Sequence, residues 1–207
     1  MASGKNIVSS ILEQNGFACI DADKAAHLAL ENSKEKILSQ FSPLAKEKGV
    51  SLLNTDGSLN RRSLASIVFS SKELLSLHES IVYPETERII NSFIEENSKN
   101  QMPLIVINAA VLYKTPSLMQ KAEHILYVDA PLPLRFIRAK KRDSLSTKMI
   151  FERFASQAGL FAKYKKSNAD ILRVWNIGSK KRLKKKIEAF LVRQGIKKWN
   201  KKEHYGF

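Results

Sequence analysis

A chain of 207 residues, 43% of them apolar, can bury a core of its own and fits one α/β domain with insertions, or a core with a small lid. Its one cysteine, Cys19, excludes an intramolecular disulfide and suits a reducing, cytoplasmic setting, while no apolar stretch reaches membrane-spanning length and no signal-peptide pattern opens the chain. The net charge of +15 asks for an anionic partner, a polyphosphate or a nucleic acid, unless it belongs to a solvated cationic face.

The chain opens MASGKNIVSSIL. Ser3-Gly4-Lys5 before a helical pattern has the form of the second half of a phosphate-binding loop, and it has equally the form of a bland turn. Such a loop wraps backbone N–H groups around phosphates and aims a helix N-terminus at them, with the lysine reaching the terminal phosphates. Asn6 stands where a magnesium-holding Ser or Thr is usual, and the first loop glycine of the pattern would fall before Met1. The reading therefore expects an apolar strand ending in glycine upstream of Met1.

Ile7, Val8, Ile11 and Leu12 recur at helical spacing, and Gly16 is a plausible stop. Phe17–Ile20 then reads as a buried strand, so loop, helix and strand follow in the order of a βα nucleotide-binding unit. Cys19 lies inside that run and reads as a small core residue, with a reactive thiol as the alternative. Three more apolar runs, Leu104–Ile107, Ile125–Val128 and Ile171–Trp175, complete a set suited to parallel strands covered on both faces. Helical patterns between them indicate an α/β fold.

The stretch from Lys34 to Asn100 has helical patterns and the turn signal Thr55-Asp56-Gly57 but no good strand. Asn60 is placed to cap a helix from Arg61, and Pro84 suits a first helical turn. A second helical segment, Pro131 to Lys166, carries Arg135, Arg138, Lys140, Lys141, Arg142, Arg153, Lys163, Lys165 and Lys166, as expected of a lid closing over a triphosphate. Between Lys180 and Lys202 stand eleven Lys or Arg against one acid, Glu188. Aromatics are not interleaved there in the manner of single-strand binders; Trp199 and Tyr205 are the nearby candidates.

Ordered motifs join these segments: Gly4-Lys5, Ile20-Asp21-Ala22-Asp23, Asp56-Gly57-Ser58-Leu59-Asn60-Arg61-Arg62-Ser63-Leu64 leading to Ile67-Val68-Phe69, Tyr83-Pro84, Val128-Asp129-Ala130-Pro131, Arg142-Asp143, Ser156-Gln157 and Asn176-Ile177-Gly178. Together they resemble the dephospho-CoA kinase family over nearly the whole chain. The resemblance implies a P-loop NTPase-like, three-layer parallel sheet with a helical substrate-binding insertion and a helical lid. The expected division is a nucleotide-binding core of 1–33, 101–130 and 167–195, an insertion of 34–100, a lid of 131–166 and a basic tail of 196–207.

The implied reaction transfers the γ-phosphate of ATP to the ribose 3′-hydroxyl of dephospho-CoA, with magnesium (Mg2+). Residue by residue, the resemblance puts Ala2, Ser3, Gly4, Lys5, Asn6 and Ile7 in the ATP loop, with Lys5 on the β- and γ-phosphates. It makes Asp23 the general base, brings Arg142 and Arg138 from the lid, and sets Asn176 and Gly178 near the adenine. Asp21 rivals Asp23 as the base, and either could instead cap the following helix. Asp129 reads equally as a residue holding magnesium through water and as a turn former before Pro131, so the metal ligands stay unknown. Asn6, Tyr83 and the run Asn108 to Tyr113 depart from the family pattern. The alternative function is a basic nucleic-acid-binding protein, or an inactive homologue, with a decayed loop; nucleic acid is not the expected partner, and the oligomeric state is open.

Overall fold

The computed structural model describes residues 1–143, 146–165 and 167–197. Lys166 of the expected lid, and Trp199, Tyr205 and most of the expected tail, lie outside the described residues. In chain order the elements are α1 (Lys5–Gln14), β1 (Ala18–Asp21), α2 (Ala22–Asn32), α3 (Lys34–Glu47), α4 (Arg61–Val68), α5 (Lys72–Lys99), β2 (Ile105–Asn108), a 3-10 turn (Leu112–Lys114), α6 (Pro116–Gln120), β3 (His124–Asp129), α7 (Leu132–Asp143), α8 (Thr147–Ser156), α9 (Leu160–Tyr164), β4 (Asp170–Trp175) and α10 (Lys180–Arg193). They form two compact units, Met1–Ile20 with Ile94–Phe207, and Asp21–Phe93.

The first unit is α/β, and each strand end falls within one residue of its place in the sequence reading. β1 pairs with β2, and β3 pairs with β4. The second pair is parallel, with His124 opposite Asp170 through to Asp129 opposite Trp175. The apolar face of α1 (Val8, Ile11, Leu12) and that of α10 (Leu183, Ile187, Phe190, Leu191) share one core with Val174 and the strand residues Cys19, Val106, Leu126 and Val128. Burying these faces, at about 25 cal/mol per Å2 of apolar surface, is what holds helices to strands. Lys180, Lys181, Lys184, Lys185 and Lys186 are exposed while the buried face of α10 is apolar, so the density of charge there occupies the solvent side of a core helix.

α1 stops as its sequence directs. Gly16 adopts φ +87, its N–H donates to Glu13 O, and Phe17 N donates back to Leu12 O at 3.3 Å. A residue with a side chain would resist that left-handed turn. The chain then enters β1 at Ala18.

The unit Asp21–Phe93 is helical, with only an isolated antiparallel bridge, Leu53 to Leu59, among its described residues. Its core joins Ala29, Leu30, Ile37, Phe41, Leu64, Ile67, Val68 and Val82. Asn60 caps α4 as expected, accepting from Ser63 N at 3.1 Å. The Asp56-Gly57 turn closes through Asp56 Oδ1, which accepts from both the backbone N and the hydroxyl of Ser58. Pro84 does not begin a helix: it lies inside α5, which runs on for 28 residues. A proline removes one N–H from the ladder, and the burial of Val82, Thr86 and Ile90 on either side keeps the helix continuous.

Cys19 is half-buried on β1, with its Sγ 3.8 Å from Ser9 O. Burial pushes its thiol up to about 11, which favours the core reading over the reactive one. The thiolate is the reacting species. Iodoacetamide at pH 8 is therefore expected to alkylate Cys19 about 100-fold more slowly than a thiol with the ordinary value, which mass spectrometry over time would check. Modification at the rate of a free thiol would contradict the burial.

Candidate functional site

The site is built at the N-terminal end of α1. Two residues of the loop take the left-handed region, Ala2 at φ +57 and Gly4 at φ +106, and a non-glycine residue held there is a strain that functional loops tolerate. Gly4 is the N-cap of α1 without a side-chain cap, and its carbonyl accepts from Ile7 N and Val8 N. The N-cap position thus supplies no side chain to the first-turn amides, whose N–H groups are the kind that receive an anion at a helix start. Lys5 is half-buried at the first helical position, and Asn6 and Ile7 follow it, both exposed.

Asn176, just beyond β4, grips this loop from behind. It is 4% exposed, and its Nδ2 donates to Ser3 O at 2.7 Å. Its backbone N donates to Asp129 O at 2.7 Å, and its carbonyl accepts from Arg138 Nη2 at 3.2 Å. A Cβ on Gly4 would lie 2.1 Å from Asn176 Nδ2, so the grip requires glycine there. The resemblance sets Asn176 near adenine; what the geometry gives its amide is the loop backbone. Gly178 lies two residues further on, beside the Arg182 side chain.

The helices α7 and α8 close on the start of the loop. Ala139, Ile150 and Phe154 form a buried cluster against which Met1, Ala2 and Phe136 pack. Arg135 Nε donates to Met1 O at 2.9 Å, and the Met1 amine donates to Gln157 Oε1. Burial first, then Arg135, Arg142 and Lys5, hold that amine down at about 5, with Asp129 opposing them. Arg138 contributes a buried terminal nitrogen, Nη1, that has no hydrogen-bond partner among the described residues. A buried guanidinium N–H normally finds an acceptor, so an orphaned one beside a loop-gripping residue suits an anionic ligand.

Asp129 is engaged. Its Oδ2 accepts from Arg173 Nε at 3.1 Å and Nη2 at 2.6 Å, and its Oδ1 accepts from Ala130 N at 2.8 Å. Of its two readings, the turn former before Pro131 fits this geometry. Arg173 in turn lies 4.4 Å from the Trp175 ring and 4.9 Å from the Phe161 ring, which fixes it further. At the end of β2, Asn108 donates its Nδ2 to Asn6 Oδ1 at 3.2 Å. The run after Asn108 meets Tyr164, whose hydroxyl accepts from Leu112 N and donates to Ala110 O.

Among the described residues no group of three or more His, Cys, Asp or Glu could hold a metal ion. The two oxygen donors by the loop, on Asn6 and Asp129, already accept hydrogen bonds. A magnesium ion at a nucleotide takes one or two protein oxygens and completes its shell with water and phosphate oxygens.

Asp23 belongs to the other unit, exposed on the first turn of α2. The rivalry between the two aspartates has a structural side. Asp21 is the N-cap of α2, its side chain accepting from Asp23 N at 2.9 Å and Lys24 N at 3.4 Å. Capping is therefore Asp21's task, and Asp23 is not needed for it. Arg142 is exposed in the last turn of α7. The parts played by Arg135, Gln157, Arg173 and Asn108 were not legible as roles: the hydrogen-bond partners that define them lie 44 or more residues away in sequence. Arg135 was visible only as one lid cation among many.

A family model described as dephospho-CoA kinase matches residues 1–177. The chain is 40% identical over 196 residues to a dephospho-CoA kinase of Treponema denticola, covering 94% of this chain and 86% of that protein. To one of Treponema pallidum it is 36% identical, with 94% and 92% covered. Among solved structures, TT1252 from Thermus thermophilus aligns with a TM-score of 0.73 at 28% identity over 93% of each chain. A dephospho-CoA kinase from Campylobacter jejuni aligns at 0.62 and 26% identity, over 96% of this chain and 94% of that one.

Proposed function

The chain belongs to the dephospho-CoA kinase family and is a phosphotransferase of coenzyme A biosynthesis, and from that premise we propose how its residues divide the work. ATP binds with its phosphates against the first turn of α1. Lys5 meets the β- and γ-phosphates, Arg138 and Arg142 add charge from α7, and Asn176 keeps the loop in shape. The observation that carries this reading is the Gly4–Asn176 contact together with the orphaned Nη1 of Arg138. A set of loop N–H donors beside a guanidinium with one nitrogen unpartnered among the described residues is what a polyanion completes.

Phosphoryl transfer needs positioning and charge neutralisation more than covalent chemistry. The 3′-hydroxyl oxygen of dephospho-CoA attacks the γ-phosphorus in line. Asp23 takes the hydroxyl proton as the new O–P bond forms, the bond from the γ-phosphorus to the β,γ-bridging oxygen breaks, and ADP departs with that electron pair. The resemblance implies magnesium with ATP; an ion carried on the triphosphate would neutralise its charge, and with this donor set it would take its ligands chiefly from phosphate oxygens and water. The substrate is a soluble small molecule, and no described helix is long and apolar enough to cross a membrane.

The direct test is ADP release, with product analysis, across dephospho-CoA and other nucleoside and pantetheine acceptors. Dephospho-CoA is expected to be strongly preferred and to yield coenzyme A; equal turnover of unrelated acceptors would overturn the substrate assignment. Lys5→Ala is expected to lower kcat/KM for ATP by about 10- to 100-fold, the worth of a charge-assisted hydrogen bond, with the melting curve retained. An unchanged kcat/KM would remove Lys5 from the phosphates.

A further inference from the structure

Two departures from the family pattern touch each other. Asn6 follows the loop lysine, and Asn108 ends β2, 102 residues away in sequence. Asn108 is 8% exposed, so its side chain is fixed in the protein, whereas Asn6 is exposed at the second position of α1. The buried partner is the donor, Nδ2 to Asn6 Oδ1 at 3.2 Å.

A carboxamide divides its chemistry between two atoms: oxygen accepts and nitrogen donates. A hydroxyl does both from one atom and can ligate a cation while donating to a neighbour. Once Asn108 holds the Asn6 oxygen, the planar amide turns its nitrogen, with two N–H groups, to the opposite side. Asp129, the nearby carboxylate, is turned to other partners: Arg173 holds its Oδ2 through two N–H groups and Ala130 N holds its Oδ1. At this position the chain therefore presents a hydrogen-bond donor where a cation ligand is the usual occupant.

We propose that Asn6, oriented by Asn108, is a donor to the terminal phosphate oxygens of bound ATP and not a ligand of the cation that ATP carries. Asn108 acts through Asn6 and is a positioning residue. The consequence is specific: the protein holds the triphosphate with its own N–H groups and adds little to the affinity of the metal. The inference rests on reading residues 2–7 as the ATP loop.

The test is calorimetric binding of ATP to the full chain, in EDTA and in saturating magnesium, for wild type, Asn6→Ser, Asn6→Asp and Asn108→Asp. Wild type is expected to bind ATP almost equally in the two conditions. Asn6→Ser restores a ligand, and magnesium is expected to tighten its ATP binding about tenfold more than in wild type, the scale of one charge-assisted interaction. Asn6→Asp removes the donor and is expected to weaken metal-free binding by about 10- to 100-fold. Asn108→Asp makes the buried partner an acceptor, turns the Asn6 amide round, and shifts metal-free binding in the same direction. A purely structural role would move the melting temperature without changing the response to magnesium. The proposal is overturned if Asn6→Ser responds to magnesium as wild type does, or if Asn6→Asp binds metal-free ATP unchanged. A wild-type chain that binds no ATP in either condition sinks the loop reading itself, a result separable from both.

Discussion

Asp23→Asn is expected to lower phosphate transfer to dephospho-CoA by about two to four orders of magnitude, the range over which a positioned general base contributes. The amide keeps the shape of the carboxylate and loses its ability to take the hydroxyl proton. Folding should be untouched, because Asp23 is exposed and the cap of α2 is supplied by Asp21. ATP binding is expected to persist, since the loss falls on kcat. Product formation should be followed by chromatography at saturating substrates, alongside a melting curve. Asp21→Asn is the control: asparagine caps nearly as well as aspartate, so both activity and stability should hold. Equal activity of Asp23→Asn and wild type would remove Asp23 from the mechanism, and a larger loss in Asp21→Asn would transfer the role to its neighbour.

Gly4→Ala carries the second large effect, this time on structure and binding together. The loop needs φ +106 there, which costs an L-residue about 1–3 kcal/mol. The new methyl would also meet Asn176 Nδ2 at 2.1 Å, so the Asn176 amide must leave Ser3 O. A buried amide deprived of its partner adds about 1–3 kcal/mol. Stability is expected to fall by about 2–6 kcal/mol on those two terms, with ATP binding lost. Thermal unfolding and calorimetry would measure both. Adding Asn176→Ala to Gly4→Ala should return part of the stability, because it removes the clash and leaves only the backbone strain; neighbouring sites are expected to be non-additive in this way. Full stability and binding in Gly4→Ala would mean that the loop has another shape.

Much of this was legible before any coordinates. Continuous apolar runs such as Ile125–Val128 specify buried strands because a strand covered on both faces has no polar positions to alternate. The spacing of Val8, Ile11 and Leu12 specifies one helical face, and Asn60 caps α4 through a bond made within four residues. Pro84 misled for a physical reason: proline's preference for a first turn is local, while the burial of Val82, Thr86 and Ile90 that carries α5 through it is tertiary. Which of Asp21 and Asp23 caps α2 was likewise decided only by the tertiary geometry, since both have the same chemistry and only geometry shows which side chain reaches Lys24 N.

What the sequence determined by itself is everything set by short range: the strands, the helical faces, the glycine of the loop, and an ordered series of motifs sufficient to place the chain in its family. What only the tertiary structure decided is which side chains meet across long separations. Asn176 on Ser3, Arg173 on Asp129 and Asn108 on Asn6 span 173, 44 and 102 positions. Periodicity and propensity are properties of neighbouring residues, whereas those pairings exist only after the common core of α1, α10 and the strands has brought the ends of distant elements together.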